Sequence, residues 1–377
     1  MRRLLRRGAS GSFIVQAIGA GLALVSHVVI ARILGKNDYG AYALTLSWVG
    51  LLTIFALSGQ QLGVVRSLPA YFEKGEWGKA RGLRYSSRLM VLAVSMIIAV
   101  VGAFVVYQLR ARLGPTLELS MLAGFILLPV FAQLQLNGGL HQAMKRAVSN
   151  GFFTGLLRPV LLLGFVLLIS VGLRQHLDAP LVVLLSVVAT VAALIVSEWR
   201  LSRAWPRAAK SAPPQYEFRT WVVIGGILFL ADAIGMALNS VDVLILGGML
   251  GDTQVGPYYA AVQLSTVPKF WLNAMFVILA PMIVESYSAG KFDALASLLR
   301  RSALTLFIVT AILCVCTALV GYWVLGLFGP GFEVAYVPLL IILAGRLVVG
   351  TIGLATCLVS MTKLLKKVPI LFGFGAV

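Results

Sequence analysis

Leu34-Gly35-Lys36-Asn37-Asp38-Tyr39-Gly40-Ala41-Tyr42 returns 216 residues later as Leu250-Gly251-Asp252-Thr253-Gln254-Val255-Gly256-Pro257-Tyr258. Both copies read L-G-x4-G-x-Y, and both join one long apolar segment to the next. At the same offset Tyr71 falls on Tyr287. Just beyond lie Lys74-Gly75-Glu76-Trp77 and Ala289-Gly290-Lys291-Phe292, which are similar once one residue is dropped. A chain that repeats itself over half its length is built from two copies of one lobe.

The segments that the phrase joins are membrane spans. Hydrophobic residues make up 60% of the chain and charged residues 12%, at a mean hydropathy of +0.96. A soluble domain carries about 25% charge, so the bilayer is the solvent for most of this sequence. The net charge of +18 does not point to nucleic acid, because the basic residues sit in short clusters between apolar runs. Such clusters are a topology signal. Ten segments are apolar enough to cross as helices: 12–34, 41–66, 86–109, 117–140, 152–173, 179–199, 220–249, 257–284, 302–328 and 335–361. None alternates with period two, so strands are not expected.

Arginine and lysine set the orientation. With the N-terminus inside, the cytoplasmic segments hold the Arg2-Arg3 and Arg6-Arg7 pairs, the 66–88 cluster, Lys145-Arg146, the 200–219 cluster, Arg300-Arg301 and Lys366-Lys367. The outer connections and their rims hold only Arg32, Lys36, Arg110, Arg112 and Arg174. This bias predicts a multi-pass protein of the cell (inner) membrane with a cytoplasmic N-terminus. The longest polar stretch comes after the sixth span and carries Pro206, Pro213 and Pro214. It reads as a cytoplasmic linker, 201–219, between a first lobe, 1–200, and a second, 220–377. Six spans is an even number, so both copies start from the inside and the lobes are parallel repeats. A six-plus-six plan needs two further spans after Met361, and the 14 residues from Leu364 to Val377 are too short to cross. The second lobe is therefore expected to be truncated.

The basic start resembles the positive region of a signal peptide. The apolar stretch after it is too long for one, and it reads as a retained first span. Cys314, Cys316 and Cys357 lie in apolar stretches without zinc or secreted-disulfide spacing, and read as small buried residues. There is no G-x-S-x-G, no H-E-x-x-H and no phosphate-binding G-x-x-x-x-G-K-[ST]. No catalytic residue, metal site or cofactor is expected, and the expectation is not an enzyme.

Ile30-Ala31-Arg32-Ile33-Leu34-Gly35, Tyr39-Gly40-Ala41-Tyr42, Gly63-Val64-Val65-Arg66 and Pro69-Ala70-Tyr71 strongly resemble the oligosaccharide flippases, the Wzx-like polysaccharide transporters. The second copy, from Asp242 to Tyr287, is similar to the same family's second lobe. Their superfamily also holds the multidrug and toxin extruders and the peptidoglycan-precursor flippases. The resemblance implies an all-α membrane protein of twelve to fourteen helices, with two six-helix lobes around a central cavity. It implies alternating-access movement of undecaprenyl-diphosphate-linked oligosaccharide from the cytoplasmic to the outer leaflet, for surface polysaccharide, O-antigen or exopolysaccharide. The partners implied are that lipid-linked oligosaccharide, membrane lipids, a polysaccharide polymerase and a chain-length regulator.

Charges inside spans are expensive in lipid and must face a cavity or a partner. Five cations are candidates for binding the substrate's phosphates: Arg32, Arg66, Arg158 (before Pro159), Lys269 (after Pro268) and Arg346. A lipid diphosphate must lose water in transit, and arginine replaces that water with a bidentate fork. Arg32 and Arg66 can instead snorkel to the membrane faces. On the seventh span Asn239 lies about 20° from Asp232 around the helix, and Asp242 about 80°. Asp232 and Asp242 are candidates for ion coupling, and Asp242 can also simply pair with a cation. His27 reads as a packing residue. Gln60, Gln61, Gln133, Gln135 and Asn137 can meet sugar hydroxyls or bridge helices. Gly35, Gly40, Gly251 and Gly256 read as turn residues, with Tyr42 and Tyr258 as interfacial anchors. Pro129, Pro159, Pro268 and Pro281 permit bends.

Two other functions fit a chain of this kind. A multidrug or cation exporter of the same superfamily calls for an acidic cavity, whereas intramembrane cations here outnumber acids. A membrane polysaccharide polymerase or ligase calls for a large outer loop, and every outer connection is short.

Overall fold

The computed structural model describes the backbone of residues 2–144, 146, 151–173, 176–250, 252–272, 275, 279 and 292–361. Their side chains are described except at 2–16, 227, 230–241, 248–250, 252–253, 292–294, 296 and 350–361. The described chain is all helical, with no strand. It divides into two compact units, 1–259 with 328–330 and 260–327 with 331–377.

The first unit holds α1 (Arg2–Leu57), α2 (Gln60–Glu73), α3 (Trp77–Leu109), α4 (Pro115–Ala143), α5 (Phe152–Gly172), α6 (Ala179–Ala204), the short α7 (Arg207–Ser211), α8 (Phe218–Leu250) and the start of α9 (Asp252–Leu264). The sequence predicts two spans at 12–34 and 41–66 with a polar turn between. The turn is a single residue. Gly35 alone leaves helical geometry, at φ 75° and ψ 178°, a region that only glycine enters without strain. The chain reverses there, which brings the Tyr39 hydroxyl to 3.3 Å from His27 Nδ1. A straight helix would hold residues twelve apart about 18 Å from each other. Helices α4 and α6 both begin with proline in the first turn, where its missing N–H is no loss.

Leu89, Met96, Ile97, Val100 and Phe104 form an exposed apolar stripe along α3, and other helices carry similar faces. In water such a surface would aggregate. Around a bundle it is the lipid contact. Six helices among the described residues are long and apolar enough to cross: Ala17–Leu57, Trp77–Leu109, Pro115–Ala143, Phe152–Gly172, Ala179–Ala204 and Ser297–Phe328. The first covers most of the expected span 12–34 and residues 41–57 of the expected span 41–66, which the chain breaks at Ser58-Gly59. The backbone is helical over 218–250 and 336–361 as expected. Part of each of the expected spans 220–249, 257–284 and 335–361 lies outside the described side chains.

Buried Leu57, Val64, Leu68, Leu83, Leu136 and Leu140 pack with Leu201, Trp205, Ala209 and Trp221 in one core. The linker is thus part of the first unit's packing. Arg81 donates to the carbonyls of Lys210 (2.7 Å) and Ala212 (2.9 Å), and Gln215 N–H donates to Gly78 O at 3.0 Å. Lys79 pairs with Glu217 at 2.8 Å, and Trp221 Nε1 donates to the Tyr71 hydroxyl at 3.0 Å. Tyr71, which the repeat singles out, ties the end of the linker to α2. Leu201, Trp205 and Ala209, four residues apart, hold this stretch against the core as a fixed strap.

The second unit holds α10 (Phe292–Phe328) as far as Leu327, and α11 (Tyr336–Met361). Its core includes Leu272, Leu279, Leu295 and Leu306. The Tyr336 hydroxyl donates to Ala318 O at 3.2 Å. Cys314 is buried as expected, and its thiol donates to Leu343 O at 3.6 Å, whereas Cys316, also expected to be buried, is exposed.

Candidate functional site

The first unit encloses a cavity of about 370 Å³, lined from α1, α2, α4, α5 and α9. Its polar lining is His27, Thr53, Gln61, Gln135, Arg158 and Tyr259. The apolar wall includes Leu46, Val49, Leu127 and Phe131. Among the described residues no carboxylate lines it, and Arg158 is its permanent charge. The volume lies in the range of small-ligand sites, roughly 300–1,000 Å³.

Local backbone geometry sets where Arg158 points. Pro159 has no N–H to donate, and the chain before it loosens into a π-turn over Phe152–Leu157. Arg158 N–H donates to Phe153 O, five residues back, rather than the usual four. One extra residue in a turn rotates the rest of the helix. Arg158 then enters between α4 and α6. Its Nε–H donates to Thr190 Oγ1 at 3.0 Å, and its guanidinium lies 4.7 Å over the Phe131 ring. Tyr42, Tyr259 and His27 lie within its electrostatic reach.

An arginine at the centre of a span costs about 2.5–3.5 kcal/mol on insertion scales. A cation–π contact returns about 0.5–2 kcal/mol, and a hydrogen bond to a charged group about 1.5–3 kcal/mol. The site sits near balance while its Nη donors remain available to a ligand.

The other expected site residues are dispersed. Arg32 and Arg66 are exposed at the surface and do not line the cavity. Lys269 and Arg346 are half-buried in the second unit. Asp242 is exposed, accepts from the Tyr258 hydroxyl at 2.8 Å and accepts from Val243 N–H at 2.9 Å. The side chains of Asp232 and Asn239 lie outside the described residues. Of the amides, Gln61 and Gln135 line the cavity. Gln133 donates to Arg88 O at 2.9 Å, and Gln60 donates to Trp221 O at 3.5 Å. His27 packs as expected, against Tyr39, but it also faces the cavity. Tyr42, expected as an interfacial anchor, is fully buried. The Gly35 turn swings the next helix into the bundle and takes Tyr42 with it.

A second polar cluster has no counterpart in the reading of spans. Glu198 of α6 receives Arg84 Nη2 at 2.6 Å and Arg88 Nη1 at 3.0 Å. Arg88 Nη2 bonds both Glu198 Oε2 and Asn137 Oδ1. Arg84 also lies 4.6 Å over the Trp205 ring. Two arginines, an acid and an asparagine thus form one network across α3, α4 and α6. The only signal in the sequence is that acid, at the end of a span rich in small residues.

Over residues 5–287 the chain matches the family described as "Polysaccharide biosynthesis protein". No curated protein matches it. Among solved structures, it is similar to the inward-facing form of a multidrug resistance MATE family transporter of the MOP superfamily. That likeness has a TM-score of 0.70 at 13% identity, over 94% of this chain and 86% of that one. It is similar to the Vibrio cholerae MATE transporter VcmN in mutant form, at a TM-score of 0.59 and 15% identity over 94% and 84% of the two chains. A MATE protein in complex with MaL6 gives a TM-score of 0.62 at 13% identity, over 93% and 81%. At these identities the likeness is one of fold.

Proposed function

From the premise that this chain belongs to the polysaccharide biosynthesis protein family, with the fold of the MATE transporters, we propose that it flips lipid-linked oligosaccharide across the cell membrane. The substrate is an undecaprenyl-diphosphate-linked oligosaccharide. It moves from the cytoplasmic to the outer leaflet by alternating access of a first lobe, 1–200, against a second, 220–377. The N-terminus is cytoplasmic, and the partners are the polymerase and chain-length regulator of a surface polysaccharide such as O-antigen or exopolysaccharide. The protein acts as a transporter, without chemical conversion of its substrate.

The observation that carries this reading is Arg158 in a cavity with no carboxylate among its described lining residues. A cation exporter needs an acid to hold its substrate, whereas this cavity favours an anion bearing hydroxyl groups. The guanidinium takes phosphate oxygens, Gln61 and Gln135 take sugar hydroxyls, and Phe131 and Tyr259 offer ring faces. Lys269 and Arg346 supply further cations along the route, as Arg32 and Arg66 do near its ends. Asp232 and Asp242 are the candidates for coupling to an ion gradient.

Arg158→Ala is the test, in a strain whose own flippase is deleted. Surface polysaccharide is expected to fall at least about tenfold, the loss of one charge-assisted contact, with the protein level in the membrane unchanged. Normal surface polysaccharide at normal protein level would sink the assignment. Increased drug sensitivity with intact polysaccharide would move the protein to the exporters.

A further inference from the structure

We infer that Thr190 is the positioning residue that aims Arg158, so that the cavity presents a fixed two-pronged phosphate receptor rather than a diffuse positive charge. This rests on Arg158 as the phosphate-binding group of the proposed flippase and deepens that reading.

Thr190 is fully buried on α6. Its hydroxyl proton is committed to Ser186 O, one turn back, at 2.6 Å. A hydroxyl has one proton and two lone pairs, so the oxygen faces Arg158 as an acceptor. Threonine's branched Cβ leaves few rotamers in a helix, and this back-bonded one is among them. The acceptor is thus rigid before Arg158 meets it. Arg158 Nε–H donates to it at 3.0 Å, which pins one edge of the planar guanidinium. The Phe131 ring, 4.7 Å away, covers one face. An edge and a face together fix the orientation of a plane.

The opposite edge carries the two Nη groups. Neither has a hydrogen-bond partner among the described residues, and Arg158 lines the cavity. Elsewhere the chain fills such forks with its own carboxylate, since Glu198 bonds the terminal nitrogens of both Arg84 and Arg88. At Arg158 no acid competes among the described residues. Two parallel N–H donors at fixed spacing match two oxygens of one phosphate. Lysine offers a point charge and has no Nε–H for Thr190 to hold.

Thr190→Val keeps the shape and removes the acceptor, and Thr190→Ser restores it. The probe is undecaprenyl diphosphate bound to the full-length protein in detergent, followed by tryptophan fluorescence, with inorganic diphosphate as competitor. T190V is expected to bind the lipid about tenfold more weakly, as for a lost charge-assisted bond, and T190S within about twofold of the parent. Inorganic diphosphate should compete in the parent and lose that ability in T190V. The decisive comparison is with Arg158→Lys, where adding T190V should change nothing further. A merely structural threonine would weaken binding equally in both backgrounds, and that result overturns the inference. So does parental binding by T190V while R158A loses the lipid, which leaves the proposed function intact. Parental binding by R158A overturns the proposed function itself. Failure of inorganic diphosphate to compete in the parent overturns the assignment of the fork to phosphate.

Discussion

Glu198→Ala is expected to lower the protein's stability by about 2–3 kcal/mol, a loss readable as a fall in Tm of the detergent-solubilised protein. Removing one partner of a buried ion pair costs about 3–5 kcal/mol, because the other charge is left stranded. The figure is discounted here because Glu198 keeps 33% of its side-chain surface exposed, and water can reach what remains. Two guanidiniums are stranded rather than one. Arg84 and Arg88 sit one turn apart on α3, and each has a buried Nε without a hydrogen-bond partner among the described residues. Their like charges would face each other across the gap. Asn137 can still accept from Arg88, at 2.8 Å, so collapse is not expected. Glu198→Gln keeps the shape and the bond from Ser202 (3.3 Å), and should lose less than the alanine. Equal Tm for E198A and the parent would show that the cluster adds no stability.

The helices and their membrane setting are legible in the sequence because they depend on bulk properties. Apolar length, charge bias and the internal repeat each report on a whole segment, and errors at single residues average out. The site depends on single residues, and there the sequence divides. Arg158 is one of five intramembrane cations, among which depth in the span favours Lys269 and Arg346 rather than Arg158. It is separated from the others by the π-turn before Pro159 and by its partners on α4 and α6, a tertiary arrangement with no local signature. Arg32 and Arg66 can snorkel on any reading, and their exposure is consistent with that. The clamp on Glu198 is illegible for another reason. Arg84 and Arg88 count as topology charges, and that role is compatible with pairing across the bundle. The packing of the 201–219 stretch is illegible too, because composition says nothing about what Leu201 and Trp205 pack against.

Gly256→Val is expected to destabilise the bundle strongly, and Gly256→Ala already to do most of the damage. The repeated phrase reads as two independent turns, and Gly35 supports that reading. Its left-handed φ forbids a side chain on conformational grounds, although nothing lies within 4 Å of a Cβ built there. Gly35→Ala should therefore cost about 1–3 kcal/mol from strain alone. Gly256 is different. It is helical, and a Cβ built on it would lie 2.6 Å from Lys36 O, 3.2 Å from Gly40 N and 3.4 Å from Gly40 Cα. Gly40 is its own counterpart in the first copy, so the two copies of the phrase press together backbone to backbone. Neither Lys36 O nor the Gly40 backbone can rotate away as a side chain would, so α1 and α9 must separate. Overpacking a core that can yield costs about 1–3 kcal/mol, and a rigid wall puts valine at or above the top of that range. Thermal unfolding of G256A and G256V, beside Gly164→Ala, checks this. Gly164 has open space at its Cβ, and alanine there should be neutral or stabilising by up to about 1 kcal/mol. If G256A unfolds at the parental temperature, the glycine is present for some reason other than this crossing. If it does not, the phrase is kept twice because each copy is the surface on which the other packs.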